Sequence, residues 1–193
     1  SNPDAIGKKA KSMKNKAMKY FFIVAAMFAT SSALAASGEE IDSRVNETLK
    51  AFEEQVNGAD VFLGQAAGYL VFPKVYKVGI GVGAETGEGA LRVGGKTVDY
   101  YRTTSGSVGL QLGAQAKSIV IAFMTREALD KFRKSSGWKV GVDGSVALVD
   151  IGAGKTIDSQ NIKDPVVGFI FGSKGLMYNL TLEGSKISKL DKS

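Results

Sequence analysis

The sequence predicts an α+β domain in which an N-terminal amphipathic helix and one middle helix pack on a curved, glycine-rich antiparallel β-sheet system, a small sandwich or barrel-like arrangement. Three observations carry this expectation. Apolar residues recur at helical spacing from Ile41 to Val56. From residue 77 the period changes to two, with Val and Ile alternating with Gly. Ser118–Met124 is a short apolar run followed at once by a helix-start pattern.

The first residues read as an address rather than as fold. A basic run, Lys8, Lys9, Lys11, Lys14, Lys16 and Lys19, precedes an apolar stretch, residues 20–29, and a small-residue tail containing Ala33-Leu34-Ala35. That order is a cleavable secretory signal, cut after Ala35 or Ala36. A spanning helix needs about 20 predominantly apolar residues, and Thr30, Ser31 and Ser32 interrupt this one. Residues 1–35 are therefore upstream residues plus signal peptide. Residues 36–193 form a single domain, with a helical stretch at 36–58 and a β-rich core at 59–193, and the expected location is periplasmic or otherwise exported. The net charge is +6, yet six of the 25 basic residues and only Asp4 of the 19 acidic ones lie before residue 36. The remainder is near neutral, so no nucleic-acid partner is expected. With no Cys and no His, disulfides, Cys- and His-based zinc sites and Cys–His or Ser–His nucleophilic pairs are excluded.

Ile41, Val45, Leu49, Phe52 and Val56 align on one face of a helix over 39–56, with Ser37 or Gly38 as cap and Asn57-Gly58 as stop. Ala59–Ala67 can continue helically. Tyr69–Pro73 is a short strand closed by proline. Val78, Ile80 and Val82 share one strand face with Gly79, Gly81 and Gly83 on the other, and Val108–Ala114 repeats the pattern. A glycine-lined face means that another backbone passes close by or that the sheet bends. Gly87-Glu88-Gly89 and Gly94-Gly95 read as turns, Ser118–Met124 as a strand buried on both faces, and Arg126 to about Ser135 as a helix capped by Thr125. Trp138–Val149 is a further strand region. Residues 165–171 and 176–182 pair around Gly172-Ser173-Lys174-Gly175 as a hairpin, and Gly184–Leu190 ends the chain.

No motif demands chemistry. Gly79-Ile80-Gly81-Val82-Gly83 alternates inside a strand instead of turning into a helix N-terminus, so it is not a dinucleotide loop. Gly152-Ala153-Gly154-Lys155-Thr156 lacks the first glycine of a phosphate loop, and no nucleotide is expected. Glu85, Glu88, Asp143, Asp150, Asp158 and Asp164 are scattered and match no calcium loop, so neither a metal, a cofactor nor an enzyme is expected. One cluster does suggest a ligand. Lys131, Phe132, Arg133, Lys134, Trp138 and Lys139 set four cations beside two aromatics, and tryptophan favours the headgroup level of a bilayer. Lys74 and Lys77, with Tyr76, extend the same reading. Two uses compete: contact with lipid, or a solvated helix end over a buried Trp138.

Several stretches occur together: Ala66-Ala67-Gly68-Tyr69-Leu70-Val71-Phe72-Pro73, Gly81–Gly89, Ser107–Gln115, and Gly172-Ser173-Lys174-Gly175-Leu176 running to Leu182-Glu183-Gly184-Ser185. In order and spacing they resemble the SYLF domain, and Tyr100-Tyr101-Arg102 resembles its bacterial version. The resemblance implies membrane-lipid binding, of phosphoinositides in eukaryotic members, with actin binding in fungal ones. Unlike the basic amphipathic segment of those members, the 39–56 helix is acidic. For an exported chain the implied ligand is the phospholipid of the cell envelope, with another envelope protein as a second candidate partner. The alternative is a protein-interaction or assembly module that uses the apolar face of 41–56.

Overall fold

The computed structural model describes residues 36–78, 81–109, 116–149, 156–157, 162–172, 175–176 and 180–192. Gly79, Ile80 and Leu110–Ala114, expected in glycine-alternating strands, lie outside these, as does the tip of the last hairpin.

Among the described residues three helices and one sheet are formed. Helix α1 spans Gly38–Gln55, α2 Ala59–Gln65 and α3 Arg126–Lys134. The strands are β1 Gly68–Val78, β2 Gly81–Val93, β3 Lys96–Gly109, β4 Lys117–Phe123, β5 Gly137–Lys139, β6 Ala147–Leu148, β7 Val166–Gly172, β8 Gly175–Leu176 and β9 Lys186–Leu190. They lie in the order β5-β9-β3-β2-β1-β4-β7-β6, with β8 against β7, in one curled sheet. The α+β expectation holds, with one refinement: β6 runs parallel to β7, so the sheet is mixed rather than wholly antiparallel.

The sheet buries both faces, and strand alternation sorts the side chains between two cores. On one face, Val71, Ala90, Val120, Phe169 and Phe171 lie under α1 and α2. Phe52 of α1 sits 4.9 Å from Phe169 and 5.3 Å from Phe171, ring centre to ring centre. On the other, Leu70, Phe72, Leu91, Ile121 and Phe123 lie under α3. Because the two faces are covered, β4 is buried continuously from Ile119 to Phe123, as its unbroken apolar run predicts.

Helix α1 begins where Ser37 accepts a hydrogen bond from the Glu40 amide, 3.2 Å. It ends before Gly58, whose left-handed φ of 80° starts the short α2. Ile41, Val45, Phe52 and Val56 are buried against the sheet, a contribution of about 6–12 kcal/mol as an upper bound. The alternative in which this face engages a partner is therefore overturned: the sheet occupies it. Polar ties fix the helix in register. Asp42 accepts from Thr97 Oγ1 at 2.6 Å and from the Tyr100 hydroxyl at 2.8 Å, and Arg92 donates to Asn46 Oδ1 at 3.0 Å.

Three local expectations need correction. Pro73 does not close its strand; β1 continues through it, with register breaks on both sides between residues 71 and 76. A bulge is where a sheet tolerates a residue with no N–H to donate. Gly87-Glu88-Gly89 is not a turn but the middle of β2. It lies against the irregular part of β1, and a Cβ at Gly87 would come 2.5 Å from the Lys74 carbonyl oxygen. A close backbone approach therefore occurs at Gly87 and Gly89, glycines that the sequence assigned to a turn. The Gly94-Gly95 turn is as expected, a two-residue hairpin loop with φ of 59° and 77°. Finally, Trp138–Val149 is not one strand region: β5 and β6 are separated by a tight turn at Gly141–Gly144, where the Gly141 amide donates to the Gly144 carbonyl at 2.8 Å.

Candidate lipid-contact surface and an adjoining cavity

The residues suspected of contacting a membrane converge on α3 and the sheet edge formed by β5 and β9. Thr125 caps α3 by accepting from the Ala128 amide at 3.2 Å, and Glu127 lies in its positive first turn. Leu129 and Phe132 face inward, which leaves Lys131, Arg133 and Lys134 in the last turn, where cations offset the negative helix end.

Phe132 and Trp138 are buried and so cannot serve as surface aromatics. They are 1% and 4% exposed. Their rings meet edge to face at 5.6 Å, and Phe132 also lies 4.7 Å from Phe123 and 4.9 Å from Tyr101. Strand β5 directs Trp138 inward opposite Ile187 of β9, where ring burial and aromatic packing hold it.

The cations divide into three groups. Arg133 is committed to Asp99: its Nη2 lies 3.2 Å from Asp99 Oδ2, and Lys189 Nζ lies 2.7 Å from the other oxygen. Lys131, Lys134 and Lys139 are exposed, and no carboxylate among the described residues forms an ion pair with them. Lys74 and Lys77 do not join this group. Gly68 packs beside Leu129 of α3, and six to nine residues of β1 then separate it from the two lysines, about 20–30 Å of strand.

Sequence reasoning missed Lys186. It stands directly opposite Lys139 across the β5–β9 pair, and its side chain lies over Gly137. Like charges facing each other across strands are destabilising, so this pair places two cations together on the edge. The signal was the Lys-Ile-Ser-Lys alternation at 186–189, which needs the β9 register to be interpreted.

Beside this strip of lysines, the first turn of α3, the Trp138 edge, the 143–147 segment and Asp164–Val166 enclose a cavity of about 580 Å³. Both Lys131 and Trp138 line it. Beneath, the Tyr101 hydroxyl is buried without a hydrogen-bond partner. Burial, reinforced by Asp99 and opposed by Arg133, pushes this phenol up to about 12. On the neighbouring strand β2, opposite Arg102, Glu88 is held below the usual carboxylate range. Burial is the largest single influence and opposes ionisation, but hydrogen bonds from Arg102 at 2.6 Å and Lys192 at 3.1 Å outweigh it together. Lys192 also donates to the Ala36 carbonyl at 3.0 Å, tying the last residues to the first ones described. Among the described residues no helix is long and apolar enough to cross a membrane.

No curated protein matches the chain. A family model does: Ysc84, described as Las17-binding protein actin regulator, matches residues 104–193. The matched segment runs from the second half of β3 through β9 and includes α3, the lysine strip and the cavity. The match agrees, over residues 104–193, with the SYLF resemblance of the sequence.

Proposed function

We propose that this chain is a non-catalytic phospholipid-binding protein that works at a membrane surface of the cell envelope, reached through the signal at residues 1–35. The observation that carries this reading is the strip of Lys131, Lys134, Lys139 and Lys186 at one sheet edge, with two of its members opposed across a strand pair. Anionic lipid relieves that repulsion. At about 1 kcal/mol for each lysine near an anionic surface, four contribute enough for roughly millimolar affinity. The contact is therefore weak, reversible and salt-sensitive. Lys131 contributes as a cation, while Phe132 and Trp138 hold the scaffold beneath.

Co-flotation with vesicles tests the reading. The chain is expected to float with anionic vesicles at low salt and to be released at high salt. Lys134→Ala combined with Lys139→Ala should lower association about 30-fold. Failure to associate with both anionic and zwitterionic vesicles would refute it. The description of the matched family supports a second reading, in which the module binds a protein of the Las17 or actin kind. The lysine strip would then face an acidic protein segment. Purified vesicles contain no protein, so flotation separates the two.

A further inference from the structure

The cavity beside α3 has a charge pattern that the lysine strip does not explain. Three carboxylates, Glu127, Asp143 and Asp164, line it together with one cation, Lys131. Its volume, about 580 Å³, falls in the range of small-molecule sites. Val146, Pro165 and Val166 supply an apolar wall. Anionic lipid alone fits poorly here, because the carboxylates outnumber the lysine. A metal ion fits no better: among the described residues no three acidic side chains are grouped closely enough to hold one.

The rim is preorganised. Asp143 accepts the Lys139 amide at 2.6 Å, which fixes its carboxylate. The turn carrying it is closed by the Gly141–Gly144 hydrogen bond. Gly144 lies so near the Trp138 ring that a Cβ would come 2.6 Å from Cζ2, so the turn rests on the core. Glu127 and Lys131 are one helical turn apart, which sets their Cβ atoms about 5–6 Å from each other. Opposite charges are thus presented side by side at the mouth of one cavity.

We propose that this cavity binds a compact zwitterion of the ethanolamine-phosphate type, its ammonium on the wall that carries Glu127, Asp143 and Asp164 and its phosphate at Lys131. The choice of ligand rests on the phospholipid reading, but binding in the cavity needs no membrane. The ligand chemistry is shared by a phospholipid headgroup and by the free phosphomonoester.

Trp138 is the single tryptophan of the chain and lines the cavity, so its fluorescence reports on occupancy directly. Titration of the full chain with phosphoethanolamine should give a saturable change at roughly millimolar concentration. Ethanolamine alone and inorganic phosphate alone should each bind about tenfold or more weakly. Glu127→Gln with Asp164→Asn should weaken binding about tenfold, and so should Lys131→Gln. Thermal melting identifies any double variant that fails to fold, in which case the single substitutions decide. No saturable change, an equal response to inorganic phosphate, or unchanged binding in the folded carboxamide variants would overturn the proposal. Competition by vesicles bearing ethanolamine headgroups assigns the ligand to lipid, and binding without such competition assigns it to a soluble molecule; both support the site. If no vesicle of any composition floats the chain but phosphoethanolamine still titrates, the membrane reading fails and the cavity assignment stands.

Discussion

Gly89→Ala tests the physical basis of the sheet. Strand β2 passes the bulged part of β1 so closely that a Cβ at Gly89 would lie 2.8 Å from both the Val71 carbonyl carbon and Phe72 Cδ1, and closer still to the Val71 oxygen. Optimal carbon–carbon separation is about 3.5–4.0 Å, so β1 and β2 must part by close to 1 Å. Neither can yield cheaply. Val71 packs under α1 and Phe72 under α3, both fully buried, and overpacking at such sites costs about 3 kcal/mol or more. For a domain of this size, that lowers Tm by roughly 6–12 °C. Gly106→Ala is the matched control. It lies on the neighbouring strand β3, and a Cβ there meets nothing within 4 Å, so loss of unfolded-state entropy predicts a gain of about 0.4–1 kcal/mol. Urea unfolding of the two variants measures the difference. Equal stabilities would refute the close-approach explanation, and a stable Gly89→Ala would show that the strands stand further apart.

Trp138→Ala should destabilise the domain by about 3–5 kcal/mol, as seen in thermal melts, because Trp138 is a core residue and not a surface contact. Tyr101→Phe removes a buried hydroxyl with no partner and should be neutral to stabilising by about 1–2 kcal/mol at pH 7. It also changes the alkaline limb. The folded phenol keeps its proton to about pH 12, whereas the unfolded one releases it near 10, so the unfolded state binds fewer protons in between. Stability therefore falls as pH rises through that window, by roughly 1.4 kcal/mol per unit, and the Phe variant should lack this component in alkaline denaturation. Glu88 behaves oppositely. Its folded pKa is depressed, so its stabilisation is present above the unfolded carboxylate pKa and is lost as pH falls through the folded one. Glu88→Gln should flatten that acid limb in pH-dependent urea melts.

Much of the fold was legible where one periodicity ruled alone. The 41–56 face, the Ser37 and Thr125 caps, the doubly buried β4 and the Gly94-Gly95 hairpin all follow from local pattern and backbone chemistry. Errors arose where tertiary pairing overrode a local signal. Pro73 and Gly87–Gly89 look like breaks in isolation, yet the bulge in β1 and the close passage of β2 are two halves of one irregularity, visible only when the strands are aligned. The lysine cluster at 131–139 was recognisable because it is contiguous. Its fourth member, Lys186, is about fifty residues away and depends on the β9 register. Trp138 stood between two readings in the sequence: an aromatic among lysines can face either lipid or core, and the inward direction of β5 decides for the core. The cavity gave no sequence signal, because Glu127, Asp143 and Asp164 come from separate segments that only the fold brings together.

Chemical labelling of lysine amines in the presence and absence of anionic vesicles, read residue by residue by mass spectrometry, bears most directly on the proposed membrane face. The account predicts protection at Lys131, Lys134, Lys139 and Lys186, with Lys50, Lys74 and Lys96 labelled equally in both conditions. Uniform labelling, or protection centred on Lys74 at the far end of β1, would contradict it.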